Sequence, residues 1–169
     1  AYSDDGGSSW TQTTPPVGSP VTAAADTLQL LPLVAGNDVI LIQQDVNVGT
    51  MRYSIWDGVG ASWSTPFVTF ASWYAQNGNY DYHWGASLWK STGDIYLVGD
   101  KASGAVGTVG PGGLEVFKFT EASRTWAQLT DVIADDLKGE TAGARVLVDE
   151  NNGNLYVVYF RGYSVGVDG

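Results

Sequence analysis

The side chains with the most to offer chemically are carboxylates and aromatic rings on segments that connect strand-like runs. Asp81, Asp136 and Glu140 fall in two such stretches, 66 to 84 and 128 to 143. Two acids held about 5 to 10 Å apart carry out glycoside hydrolysis, one protonating the leaving oxygen while the other acts as base or nucleophile. Asp81 with Asp136 or Glu140 is the pair whose placement would suit that chemistry, in a chain with many other acids. The first stretch, PFVTFASWYAQNGNYDYHW, sets Trp73, Tyr80, Tyr82, His83 and Trp84 around Asp81. Such rings stack on the C–H faces of sugars while Asp, Asn and His bond to hydroxyls, so these six residues are the candidate ligand contacts. The competing use of the same rings is packing between sheets.

His83 is the only histidine and there is no cysteine. Those two facts remove a His-rich or Cys-ligated metal site, disulfides and thiolate chemistry. No metal site and no cofactor are expected, with Ca²⁺ the one cation left open. The segment DENNGN, 149 to 154, lacks the spacing and terminal Glu of a calcium loop and reads as a hairpin turn. GAVGTVGPGG, 104 to 113, lacks both the Lys-Ser/Thr of a phosphate loop and a following helix, and reads as an insertion. Lys plus Arg number 8 against 18 Asp plus Glu, for a net charge of -10. Such a surface repels phosphate backbones and anionic lipid, so nucleic acid is not an expected partner. There is no apolar run of the length of a membrane span and no basic-then-apolar leader. An acidic, Gly-rich, Trp-rich chain without cysteine fits a secreted or cell-surface protein, of prokaryotic type.

The elements that must position these residues come from a repeat. Trp10, Trp63 and Trp126 each close a polar turn, and between them one pattern recurs. LQLLPLVAGNDVILIQQ (28 to 44), ASLWKSTGDIYLVGD (86 to 100) and ARVLVDENNGNLYVVYFRG (144 to 162) each run apolar, turn, apolar. Gly with Asn or Asp in every turn predicts three antiparallel hairpins. The second runs, VILI, IYLV and LYVVYF, are continuously apolar, as strands covered on both faces are. A third, alternating strand is expected at 50 to 56, 114 to 120 and 162 to 167, and a short fourth after each Trp-closed turn. Residues 131 to 139 are expected to be loop. The segments are thus 1 to 12, a lone fourth strand, then 24 to 66, 80 to 129 and 143 to 169.

Ser3-Asp4-Asp5-Gly6-Gly7-Ser8-Ser9-Trp10 fits Ser/Thr-x-Asp-x-Gly-x-x-Trp in full. It resembles the Asp-box (BNR repeat) of sialidase-like β-propellers. The second copy keeps Gly60 and Trp63 but has Gly58 at the Asp position; the third keeps Trp126, with Glu121 and Ser123 replacing Asp and Gly. In the motif the Ser hydroxyl and Asp carboxylate tie down turn amides, Gly takes a left-handed conformation and Trp packs between blades. Ser3, Asp5, Gly7, Trp10, Gly60, Trp63 and Trp126 are therefore structural residues. The resemblance implies an all-β propeller segment of about three four-stranded blades, with ligands bound on the face opposite these turns. A sialidase would also need three Arg gripping the substrate carboxylate, and Arg52, Arg124, Arg145 and Arg161 do not supply that set. The expected function is a binding or scaffold propeller, with glycan as the candidate partner. The alternatives are a glycoside hydrolase of sialidase-like fold and a purely structural repeat of a surface protein. Three blades do not close a ring, so a longer chain or a homo-oligomer is expected to complete it.

Overall fold

The computed structural model describes residues 1–3, 5–14, 27–45, 50–63, 67–72, 84–101, 113–133 and 140–162. The described residues are all-β, without helix, and form three antiparallel sheets. The first contains β1 (Thr27–Pro32), β2 (Val39–Asp45), β3 (Thr50–Asp57), β4 (Ser62–Trp63) and β5 (Val68–Ser72). Strands β1, β2 and β3 form a meander whose far edge is shared: β4 pairs with one end of β3 and β5 with the other. The second sheet is a four-stranded meander of β6 (Gly85–Leu88), β7 (Ile95–Lys101), β8 (Gly113–Thr120) and β9 (Thr125–Ile133). The third is the pair β10 (Glu140–Val148) and β11 (Leu155–Gly162).

The three hairpins expected from the repeat are β1–β2, β6–β7 and β10–β11, and they close alike. Leu33 N–H donates to Asp38 O, Trp89 N–H to Asp94 O and Asp149 N–H to Asn154 O, at 2.8 to 2.9 Å. In the second and third, a Gly at φ +78 and +73 donates its amide back to the first residue of the turn. A side chain in that left-handed region is strained, which is why Gly93 and Gly153 recur at one place in the repeat.

The central strand β7 explains its own composition. Ile95 and Leu97 join Phe117 and Phe119 of β8 in a core shared with Ile40, Ile42, Met51, Tyr53 and Ile55 of the first sheet. Tyr96 and Val98 point the other way and join Leu114 and Val116 in a second core with Ala144, Val146 and Val148 of β10. Period-two alternation with both faces covered yields the unbroken apolar run IYLV. Each such side chain contributes about 1.5 to 3 kcal/mol by leaving water, so the second sheet is the stabilising centre of the stack.

The fourth strands are longer than the Trp-closed turns suggested. Strand β9 follows β8 over its whole length, to the pair Leu114↔Ile133, and two bulges absorb the surplus residues. Asp131 is therefore in a strand, where loop was expected over 128 to 143, and Glu140 opens β10. Likewise β5 takes Val68–Ser72 out of the expected loop at 66 to 84. Backbone pairing along an available edge outweighed the weak local signal of these segments. Of the expected third strand at 162 to 167, Gly162 closes β11 and the remainder lies outside the described residues.

Candidate functional site

The best-defined polar constructions lie at the end of the stack where the hairpin turns and the Trp-closed turns meet. The intact motif is bracketed by Tyr2 and Thr11, which exchange both backbone hydrogen bonds at 2.9 Å. Inside it, Ser3 Oγ donates to Asp5 Oδ1 and accepts the Gly7 amide, both at 2.7 Å. Asp5 Oδ1 also accepts the Ser9 amide at 2.9 Å and Oδ2 the Ser9 hydroxyl at 2.7 Å. Gly6 and Gly7 take φ of +70 and +91, which lets the backbone wrap the carboxylate. Bonds from the Ser9 hydroxyl, the Ser9 amide and the Ser3 hydroxyl hold the Asp5 carboxyl far below the usual carboxylate range. Trp10 departs from the packing role its motif implies, being 68% exposed. Its ring lies beside Gly7 instead, and Tyr2 makes the contact to the first sheet, with its ring 5.3 Å from that of Trp56.

That network makes a sharp pH prediction. A depressed carboxyl contributes its stabilisation in full above the unfolded value of 3.8 and loses it as the pH falls toward the lower folded value. Asp5→Asn should therefore melt below the wild type at neutral pH, with the gap narrowing once the pH drops under about 4. Melting temperatures of the two proteins across an acid series check it; a gap as wide in strong acid as at neutrality would remove Asp5 as an ionised turn anchor.

The second turn uses a residue that the motif alignment passes over. Asp57, one place before the Asp position occupied by Gly58, accepts the amides of Val59 at 2.9 Å and Gly60 at 3.0 Å. Those two amides, Gly60 first, lower its carboxyl, and the Arg124 charge adds to them. Ala61 and Arg124, each two residues before a Trp, share a left-handed backbone at φ +49 and +54. The second and third turns are thus alike in conformation and differ from the first. Trp63 stands edge-on to Trp56 at 5.6 Å across the β3–β4 pair. Trp126 stacks on Phe70 at 4.4 Å and meets Phe119 and Tyr53, joining the first and second sheets.

Glu121, which replaces Asp in the third copy, is buried and does not cap its own turn. Its Oε1 accepts the amide of Ala35 in the β1–β2 turn at 2.6 Å, and it lies against Gly93 of the β6–β7 turn. Asp38 makes the reciprocal link: Oδ1 accepts the Gly58 amide at 3.0 Å and Oδ2 pairs with the Arg124 guanidinium. Tyr53 O–H donates to Arg124 O at 3.0 Å. Four turns from two sheets are fastened by two carboxylates, an Arg and a phenol. A signal for Asp38 was present in the sequence, since Asp38, Asp94 and Asn154 each directly precede the second strand of a hairpin. Nothing local marks Glu121, whose partner is 86 residues away.

The free edge of β6 is clothed from both sides. Gln29 of β1 brackets Ala86, its amide nitrogen donating to the carbonyl at 3.1 Å and its oxygen accepting the N–H at 3.2 Å. Arg145 of β10 donates to Trp84 O at 2.7 Å and Ala144 O at 2.8 Å. With Arg124 held by Asp38 and Arg52 bonded to Thr50 Oγ1, three of the arginines have structural partners.

Of the candidate ligand contacts, Trp84 is buried in the core between the first and second sheets. Trp73, Tyr80, Asp81, Tyr82 and His83 lie outside the described residues, as does Asp136; of Glu140 the backbone alone is described. Among the described residues no group of three His, Cys, Asp or Glu is arranged to hold a metal ion, and no helix is long and apolar enough to cross a membrane. Comparison with protein-family models and with curated proteins returns no match.

Proposed function

We propose that this chain is part of an Asp-box β-propeller that works as a binding or scaffold module at or outside the cell surface, with glycan as its ligand class. One observation carries the reading. Antiparallel sheets stack face to face with the turns of the first two fastened at one end, and a separate turn, in contact with the first sheet through Tyr2, has the complete Ser3, Asp5, Ser9 hydrogen-bond network. In the propellers that the motif resembles, ligands bind on the face opposite these turns, and the aromatic sequence around Asp81 is the candidate for that role. In such a module the fastened end supplies rigidity and the connections supply recognition. The acidic charge of the chain favours neutral sugars over anionic polymers as ligands.

The test is binding of the full chain to a broad glycan array, beside Trp73→Ala and Tyr82→Ala. Loss of one stacking ring should weaken retention about two- to twelvefold, from the ~0.5 to 1.5 kcal/mol such a contact supplies, at an unchanged melting temperature. A folded wild type that binds no glycan would overturn the ligand class. Turnover of a chromogenic glycoside, abolished by Asp136→Asn or Glu140→Gln, would put a hydrolase in its place.

A further inference from the structure

The hairpin registers place the three sheets in one common frame. Leu30 faces Leu41, Ala86 faces Leu97 and Val146 faces Val157, with Asp38, Asp94 or Asn154 just ahead of each second strand. In that frame Ile40 and Ile42, Tyr96 and Val98, and Tyr156 and Val158 are the same two positions. In the first two sheets they point at the next sheet and are buried. In the third sheet Tyr156 and Val158 are 52% and 63% exposed, with Leu147 beside them at 63%. At the other end of the stack the same asymmetry appears in reverse. Trp84 and Val146 point at the preceding sheet and are buried, whereas their counterparts Leu28 and Leu30 on β1 are 63% and 55% exposed. Among the described residues these are two open apolar faces, and they are the two complementary halves of a contact that the described sheets already make twice.

We propose that the outer face of β10–β11 docks on the outer face of β1–β2 of a second copy of this chain, head to tail. The proposal rests on the stacked-blade reading above and names the partner for its open ends. Continuity of the contact identifies the occupant: Leu28 and Leu30 would meet Leu147, Tyr156 and Val158 as Trp84 and Ala86 meet the first sheet. Clustered Leu, Val and Tyr at this exposure are characteristic of an association surface rather than of a solvated one. Because the two faces differ, the contact is heterologous, and it closes into a ring or propagates according to the rotation between copies.

Light scattering on the 169-residue chain across the micromolar range, with Val158→Lys and Leu30→Glu, tests this. The wild type should self-associate and its melting temperature should rise with concentration. Each variant alone should be monomeric. Mixed in equal amounts they should form a dimer, because one variant keeps the head face, the other keeps the tail face, and the altered pair is Lys against Glu. A wild type that stays monomeric would overturn the proposal, and so would a mixture that stays monomeric or a variant that self-associates like the wild type. If a variant fails to fold, the concentration dependence of the wild-type melt decides alone. A monomeric result leaves the glycan-array outcome untouched, since that assay reads the folded chain in either state.

Discussion

Phe119→Ala is expected to lower folding stability by about 3 to 5 kcal/mol, among the largest losses any single truncation in this chain should give. Phe119 has no exposed surface, and its ring meets Tyr53 at 6.0 Å and Trp126 at 5.4 Å. Those contacts span the first and second sheets, so the ring contributes to two layers at once. Backbone pairing fixes β8 between β7 and β9, and neither neighbour can shift to fill the space without breaking its own register. The cavity therefore persists and adds to the lost transfer energy. Denaturant unfolding followed by tryptophan fluorescence measures the loss. Ile95→Val in the same core should cost about 0.5 to 1.5 kcal/mol, and Leu129→Ala at the exposed face of β9 within about 0.5 kcal/mol of nothing. A Phe119→Ala loss under 1 kcal/mol would mean that the two sheets do not share one core.

Much of the architecture was legible because it rests on periods of two and on turn chemistry. The three hairpins could be read since Gly and Asn or Asp punctuate each one, and IYLV announced a doubly covered strand that Ile95 to Val98 occupies. The ends of the fourth strands were not legible. Residues 131 to 133 look like loop locally, and they become strand only because β8 offers an edge for them to follow. The Ser3 to Trp10 turn declared its hydrogen bonds through its spacing, while Asp57 hid one place out of register and took the same task by a different turn. Trp84 shows the limit of composition. A ring in an aromatic connecting segment is equally suited to a ligand or to a core, and a first sheet facing it, which the equivalent position Leu28 lacks, decided for the core. Links such as Glu121 to Ala35 depend on how sheets face each other, which no local pattern encodes.

The last expected result concerns that link. Gly93→Ala should destabilise by about 2 to 4 kcal/mol, well beyond an ordinary surface substitution, for two separable reasons. Gly93 sits at φ +78, where a side chain costs about 1 kcal/mol in backbone strain. A methyl there would also overlap Glu121 Oε2 and lie 2.6 Å from its Cδ, so the carboxylate must leave. Leaving breaks the 2.6 Å bond to Ala35 N–H and unfastens the first sheet's turn from the second, worth about 1 to 3 kcal/mol for a charged acceptor in a partly buried setting. The two parts come apart in a double-mutant cycle. Glu121→Ala alone should remove the fastening, and Gly93→Ala added to it should then cost only the strain, about 1 kcal/mol. Hydrogen exchange gives an independent reading, because the Ala35 amide should lose protection in both single variants and lose no more in the double. Strictly additive losses, or an Ala35 amide equally protected in Gly93→Ala, would show that Glu121 does not join the two turns.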